Sequence, residues 1–590
     1  LLLIDRTFGA DERTRNATRA LFMAAFGLVF AEQALCGFPQ SAYICALVYG
    51  SFALFRATTD RQRPLGVRLT WLGGLGVAAL LGASAGAVVL LPLSELGSLS
   101  DRSGVLGWEW STGLAYWPPN VVTFLVPYFH GDISDYTYVG HSIFWEDYGY
   151  VGAATCLLAV YGALRERRRA LVAFSILMTL VAYLFVLGPA TPVFRVAYLL
   201  IPGMKLFRFP QRFLIVVELG LALLGAVGLT RLRADLEQRW NMPSRMPQLV
   251  VLTICAGTAL DLFVHQPRQN PMVSGRDWLA VPHTAELVRA DSSQPRTFTP
   301  RHRDLHRESS VLARGWANVA PYFALRDVLE PNTGGGFWNT PSADCYAGIA
   351  ARWYVDVWSD HNRESSLMAV LAYLDFETRT LRVHPLLGRL LKAYGVSHVL
   401  SPFPQQEPAF VLVSHEKNAY LYRVDGAARA RFVRTARLVK TDREALVGLL
   451  DKGFDPDRQI LLQDAPDWLR AGVGEPDGAS EPAASRPEVT SEDSRHLVIQ
   501  AEAPKDGFLL LADTFYPGWT AEVDGASTPI YRANLSVRGI RLTKGRHEVR
   551  FTYGAPGFVR GLQITLLSVS ILLLWAAGSA FVDRRGARAA

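Results

Sequence analysis

Residues 201–218 read Ile-Pro-Gly-Met-Lys-Leu-Phe-Arg-Phe-Pro-Gln-Arg-Phe-Leu-Ile-Val-Val-Glu, a cationic loop broken by Pro202 and Pro210 that runs straight into an apolar helix. Lys205, Arg208 and Arg212 therefore sit at the mouth of a hydrophobic segment. The charge pattern of the whole chain puts this loop on the outer side of a membrane, where Lys and Arg are sparse. The cations then need a reason, and the reading they suggest is an anionic ligand at the membrane face, the phosphate of a lipid carrier. Arg208 and Arg212 are four apart, so both can point to one side of a helix that begins near Pro210. Guanidinium forks match phosphate oxygens, and a helix amino end adds unpaired N–H groups. The competing reading is that these side chains snorkel to lipid headgroups or pair with an acidic loop.

Working outward, half of the 590 residues are hydrophobic, and eight apolar runs approach spanning length: 17–35, 39–55, 69–91, 148–164, 171–188, 213–229, 249–264 and 558–581. Arginine clusters occupy every second connection: Arg13, Arg15 and Arg19; Arg56, Arg61, Arg63 and Arg68; Arg165, Arg167, Arg168 and Arg169; Arg231, Arg233, Arg239 and Arg245; Arg584, Arg585 and Arg588. By the positive-inside rule these are cytoplasmic, as are both termini. The net charge of +7 is thus topology and gives no reason to invoke nucleic acid. Five scattered cysteines build neither a disulfide framework nor a thiolate metal site. The chain opens Leu-Leu-Leu-Ile-Asp-Arg without a signal-peptide pattern, which raises the expectation of further sequence ahead of Leu1.

The expected fold is a polytopic α-helical membrane protein of about eight spans, with an extracytoplasmic α+β region and a C-terminal antiparallel β-sandwich before the last span. The expected divisions are a transmembrane part at 1–264, an α+β domain at 265–470, a Gly/Pro/Ser/Ala/Glu-rich linker at 471–494, the sandwich at 495–557 and a final helix with its tail at 558–590. Asp524-Gly525 and Lys544-Gly545 read as hairpin turns. The runs 114–129 and 192–200 are too short or too Pro-interrupted to span and read as interfacial.

The long loop at 92–147 carries Glu95, Asp101, Glu109, Asp132, Asp135, Glu146 and Asp147 against one cation, Arg102. Glu95, Asp132, Asp135, Glu146 and Asp147 are the candidate general bases. With His130 and His141, the last four also invite a divalent cation, although their spacing fits no established metal motif and oxygen-rich loops are commonly just solvated. Glu32, Glu218 and Asp261 lie near the outer ends of their spans, a costly place for a carboxylate, and suggest a shared outward-opening cleft; the alternative is three unrelated side chains reaching the interface. Tyr516-Pro-Gly-Trp519 reads as strand entry and turn in preference to a sugar-stacking surface.

The order of motifs resembles the bacterial YfhO family, which belongs with the GT-C type glycosyltransferases. The matching residues are Gly37-Phe-Pro39-Gln40, Leu91-Pro92 with Ser98, Ser100 and Arg102, Pro127 to Gly131, Tyr138-Val-Gly140, Tyr148 with Gly152, Phe207-Arg208-Phe-Pro210-Gln-Arg212-Phe213, Tyr516-Pro-Gly-Trp519, Asp524-Gly525 and the stretch from Gly545 to Tyr553. The resemblance implies transfer of a sugar from a polyprenyl-phosphate donor to an envelope glycan or teichoic-acid-type acceptor on the outer face of the membrane. The candidate substrate-binding residues are then Lys205, Arg208, Arg212, Arg102, Glu218, Glu32, Asp261, His141 and Tyr138, with the lipid tail beside Phe207, Phe209 and Phe213. The superfamily's catalytic Asp lies in the first extracytoplasmic loop, but the first loop here is only Cys36 to Phe38, so that Asp would precede Leu1 or another carboxylate would serve. The rival expectations are a non-catalytic flippase, exporter or assembly factor for surface polysaccharide, or a structural envelope protein whose sandwich does the work.

Overall fold

The computed structural model describes the chain apart from residues 10–15, 104–106, 240, 241, 244, 271, 292, 293, 302, 303, 306–314, 332, 346, 359–365, 467–485 and 590. Arg13, Arg15 and much of the expected linker lie outside the described residues. Two compact units emerge: one comprises 1–94, 104–270 and 557–590, the other 95–103 and 271–556.

The first unit is helical. Among the described residues, six of its helices are long and apolar enough to cross a membrane: Asn16–Leu35, Pro39–Thr59, Leu65–Ala85, Pro210–Gln238, Arg245–His265 and Phe558–Arg585. The runs expected at 148–164 and 171–188 form the shorter helices Ala153–Glu166 and Ala170–Val186, of 14 and 17 residues. At about 1.5 Å per residue they fall short of a hydrocarbon core of about 30 Å. Gly152, at φ 90°, and Gly188, at φ 51°, set these limits, because a left-handed residue ends helical geometry where the apolar run continues. The run at 69–91 is likewise divided, into Leu65–Ala85 and Ala87–Leu99.

Glycine lets these helices approach closely. A Cβ at Gly228 would meet the Leu158 carbonyl oxygen at 1.9 Å, and one at Gly82 the Gly27 oxygen at 2.6 Å. The helices Leu214–Gln238 and Ala153–Glu166 thus pack backbone to backbone, the small-residue mode that suits a bilayer. The helix Arg245–His265 instead buries almost none of its apolar window, leaving that surface to lipid.

The second unit is α+β, and among the described residues it holds three larger sheets and a two-stranded one that pairs Ala372–Asp375 with Thr380–Val383. A five-stranded sheet runs in the order Glu488–Glu492, His496–Ala503, Gly545–Tyr553, Trp519–Val523, Ala526–Thr528. A six-stranded sheet runs Ala430–Val433, Gly507–Thr514, Val537–Leu542, Tyr531–Ala533, Gln459–Gln463, Thr435–Leu438. A four-stranded sheet joins Thr297–Phe298, His398–Ser401, Ala419–Val424 and Phe410–Glu416. Asp524 and Gly525 both have positive φ, the requirement of a type I′ hairpin turn.

The expected boundary at 471–494 divides the sequence but not the sheet. Gly507–Thr514 pairs with Val537–Leu542 on one side and with Ala430–Val433 on the other. Its residues are buried on both faces: Leu509 and Leu511 pack toward the five-stranded sheet, while Phe508 and Leu510 join the larger core with Leu387, Leu391 and Tyr394. A free-standing sandwich would expose Phe508 and Leu510, so the preceding region covers them.

Candidate functional site

The cationic loop is fixed by backbone geometry before any charge is considered. Gly203 and Phe209 take positive φ, 87° and 65°. The first suits glycine, whereas the second is unusual for an aromatic residue and is held from several sides. The Phe209 N–H donates to the Ser111 carbonyl at 3.3 Å, and Gln211 Nε2 donates to the Leu114 carbonyl at 2.7 Å. Gln40 Nε2 donates to the Arg208 carbonyl at 2.7 Å. Pro210 to Phe213 then form one 3-10 turn that feeds the helix Leu214–Gln238.

Arg212 is aimed by three contacts. Its Nε and Nη2 donate to the Glu146 carboxylate at 3.0 and 2.8 Å, a bidentate pair, and its Nη1 donates to Gln40 Oε1 at 2.6 Å. Arg208 lies 4.7 Å from the Phe209 ring and 5.8 Å from the Trp110 ring, and Arg212 lies 4.9 Å from the opposite neighbour Phe209 and 5.1 Å from Phe38. The two guanidinium groups therefore share the Phe209 ring. Lys205 stands 5.6 Å from the Tyr198 ring. Around the loop, Leu199, Leu200 and Leu206 are exposed, an apolar collar fit for lipid. Phe207 and Phe209 are half-buried in the loop, but Phe213 is buried against Phe185 at 5.1 Å, which removes it from the expected tail-binding set. The recess lined by Gln40, Tyr43, Phe207 and Arg208 encloses only about 10 Å³, so a phosphate would meet these arginines at the surface.

The loop carboxylates separate by environment. Asp132 is buried in its own turn, accepting from Ser134 N at 2.9 Å and Ser134 Oγ at 2.6 Å, and Asp135 accepts from Thr137 Oγ1 at 2.6 Å. Both hold a turn together. Asp147 is buried and accepts from the Trp117 N–H at 3.0 Å, Asn120 Nδ2 at 3.0 Å and the Ser142 hydroxyl. Burial pushes its carboxyl up to about 6, although those three hydrogen bonds pull the other way. Tyr138 joins this network through Asn120 at 3.1 Å and Ser142 at 3.2 Å, and burial raises its phenol. Only Glu146, of the four, touches the arginine loop.

Other expected site residues disperse. Glu32 is exposed, and no hydrogen bond or ion pair reaches Glu218 among the described residues. Asp261 accepts from Tyr150 Oη at 2.5 Å and pairs with His265 Nδ1 at 3.1 Å. No hydrogen bond or ion pair joins the three among the described residues. His141 rests edge-on 5.8 Å from Trp117. Glu95 and Arg102 fall in the second unit. No group of three His, Cys, Asp or Glu residues arranged to hold a metal occurs among the described residues.

The model of the family described as bacterial membrane protein YfhO matches residues 481–565. Over that stretch, a small part of the chain, the sequence is similar to this membrane-protein family. The match covers the five-stranded sheet and the start of the last helix. A solved structure of the arabinofuranosyltransferase AftD from Mycobacteria is similar at 12% identity with a TM-score of 0.32, over 94% of this chain and 52% of that one. The chain thus spans about half the length of that structure's chain. No curated protein matches it.

The residues missed as chemistry are Asn120, Ser142 and Trp110. Gln40 was legible only as part of the Gly37-Phe-Pro39-Gln40 motif, whereas its role is to bond both ends of the Arg208 to Arg212 turn. A neutral amide at the start of an apolar helix was the available signal.

Proposed function

We propose that this chain is a membrane glycosyltransferase that moves a sugar from a polyprenyl-phosphate donor to an envelope glycan or teichoic-acid-type acceptor on the outer face of the bacterial cytoplasmic membrane. The observation that carries the reading is the buttressed arginine pair: Arg212 held by Glu146 and Gln40, and Arg208 sharing the Phe209 ring, at the entry to a helix long and apolar enough to span. Cations fixed in advance stabilise charge that develops during reaction without reorganising. The acceptor hydroxyl loses its proton to Glu146, its oxygen bonds to the anomeric carbon, and the anomeric carbon–oxygen bond breaks with its electron pair on the lipid phosphate, held by Arg208 and Arg212.

A second reading, a flippase, exporter or assembly factor for surface polysaccharide, draws on the engagement of Asp132, Asp135, Glu146 and Asp147 in hydrogen bonds or ion pairs, since a transporter needs no base. The test is mass spectrometry of surface glycans from a host lacking the gene, complemented with wild type, the Arg208→Ala/Arg212→Ala double variant, or Glu146→Gln at matched expression. Transfer predicts that one sugar is lost, returns with wild type, and falls at least about a hundredfold in rate with either variant. Export predicts that Glu146→Gln behaves as wild type. Unchanged glycans in the deleted host sink the transferase reading.

A further inference from the structure

The second unit holds a groove of about 490 Å³ lined by the helix Leu386–Ala393, the strand ends at Val411 and Val424, and the turn from Lys452 to Pro456. That volume lies in the range of ligand sites. Its lining is apolar at Pro408, Ala409, Val411 and Val424, while Arg389, Lys392 and Lys452 supply three cations. Two small residues keep it open, since a Cβ on Gly388 would sit 2.8 Å from the Ala409 Cβ.

The charge balance points to the ligand. Two carboxylates line the groove, and each is already engaged: Asp425 pairs with Arg423 at 2.9 Å, and Asp455 accepts from the Asp457 N–H at 3.0 Å and pairs with Arg458 at 3.5 Å. Lys392 pairs with Asp457. Arg389 spends two N–H groups on the Lys452 and Leu449 carbonyls at 3.1 and 3.2 Å, which fixes its fork without neutralising it. Among the described residues neither Arg389 nor Lys452 has a carboxylate partner, and Arg389 Nε is buried without a hydrogen bond. A fixed guanidinium and an exposed ammonium line one groove whose remaining wall is largely apolar.

We propose that this groove binds an anionic, polyhydroxylated chain: a glycan segment bearing phosphate or carboxylate groups. Arg389 receives the anionic oxygens through its fork, Lys452 closes over them, and the Pro and Val wall takes the sugar rings' C–H faces. The site stands independently of the transferase reading, which concerns Arg208, Arg212 and Glu146.

The test is calorimetric titration of the full-length protein in detergent with a glycerol-phosphate oligomer, an oligogalacturonate, a neutral oligosaccharide of equal length and inorganic phosphate. At least one anionic oligomer binds, the neutral oligosaccharide does not, and affinity falls as salt rises from about 0.05 M to about 0.3 M. Which anionic oligomer binds identifies phosphate or carboxylate as the recognised group. Lys452→Glu weakens binding about tenfold or more. Lys452 is exposed and its side chain bonds nothing among the described residues, so the unfolding temperature stays at the wild-type value. The Arg208→Ala/Arg212→Ala variant binds as wild type, so this result and that of the glycan assay can fail separately. Binding of the neutral oligosaccharide equal to the anionic ones, binding of inorganic phosphate alone, unchanged affinity in Lys452→Glu, or no binding at all overturns the proposal.

Discussion

Two arginine clusters in this protein are built from the same parts and do opposite things. In the second unit Arg429, Arg538 and Arg296 surround Asp513, at 2.9, 3.3 and 3.7 Å, and Arg429 adds a bidentate pair with Glu492 at 2.7 Å. This cluster is deeply buried between sheets, and burial pushes Asp513 up while the three guanidinium groups, Arg429 foremost, hold it far below the carboxylate range. In the first unit Arg212 pairs with the Glu146 carboxylate and shares the Phe209 ring with Arg208, and the Arg212 side chain is about a quarter exposed. The closed cluster pins Gly507–Thr514 to its neighbours. The open one keeps Arg212 within reach of solvent. Arginine count does not separate structure from function here; the supply of carboxylates and the access of solvent do.

The sharpest way to break that contrast is Asp513→Ala. Removing the shared carboxylate takes from Arg538 and Arg296 the carboxylate they pair with, while Arg429 keeps Glu492, a change worth about 3–5 kcal/mol of stability. Thermal unfolding of the purified full-length protein in detergent reads it. Because the folded-state value of Asp513 is depressed, its stabilisation is present above the unfolded-state value and is lost as pH falls through the folded one. The gap between wild type and variant therefore closes only in strong acid. A loss below about 1 kcal/mol makes the cluster as dispensable as a surface pair.

Asp147 is the next test, with the opposite sign. Its carboxyl is pushed up to about 6 from an ordinary 3.8, a difference worth about 3 kcal/mol. Stability from this group is fully present below about pH 4 and is lost as pH rises through about 6. Asp147→Asn stays neutral and flattens that stretch of the unfolding-temperature profile. An equally steep profile in the variant locates the pH dependence elsewhere.

How much of this was legible follows from which physics a sequence displays. Apolar length and arginine alternation report the bilayer directly, so the helices that frame the site stand near their expected places. The left-handed glycines that shorten Ala153–Glu166 and Ala170–Val186 leave the apolar runs intact, so composition alone reads these helices as longer than they are. Arg208 and Arg212 were legible as charges out of place. Their partners were not, because Glu146 and Gln40 lie 66 and 172 residues from Arg212. Among acidic neighbours, a one-residue step decides the role: Glu146 turns to the arginines, while Asp147 turns into the pocket of Trp117, Asn120 and Ser142. Sheet membership failed similarly, since alternation in Gly507–Thr514 predicts a strand but does not reveal that Ala430–Val433 supplies its other neighbour.

The smallest effect is expected at the open cluster, and it sharpens the comparison most. Glu146→Gln removes the charge facing Arg212 but keeps an amide oxygen in place, and Gln40 still accepts from Nη1 at 2.6 Å. The Arg212 side chain is 26% exposed, so water replaces what the carboxylate gave. The cost in unfolding free energy is about 1 kcal/mol or less. A loss near that of Asp513→Ala turns the Arg212–Glu146 pair into a second structural staple. A small stability change paired with a large drop in transfer instead separates the two roles within one ion pair: holding the arginine costs little to replace, whereas taking the acceptor proton cannot be done by an amide.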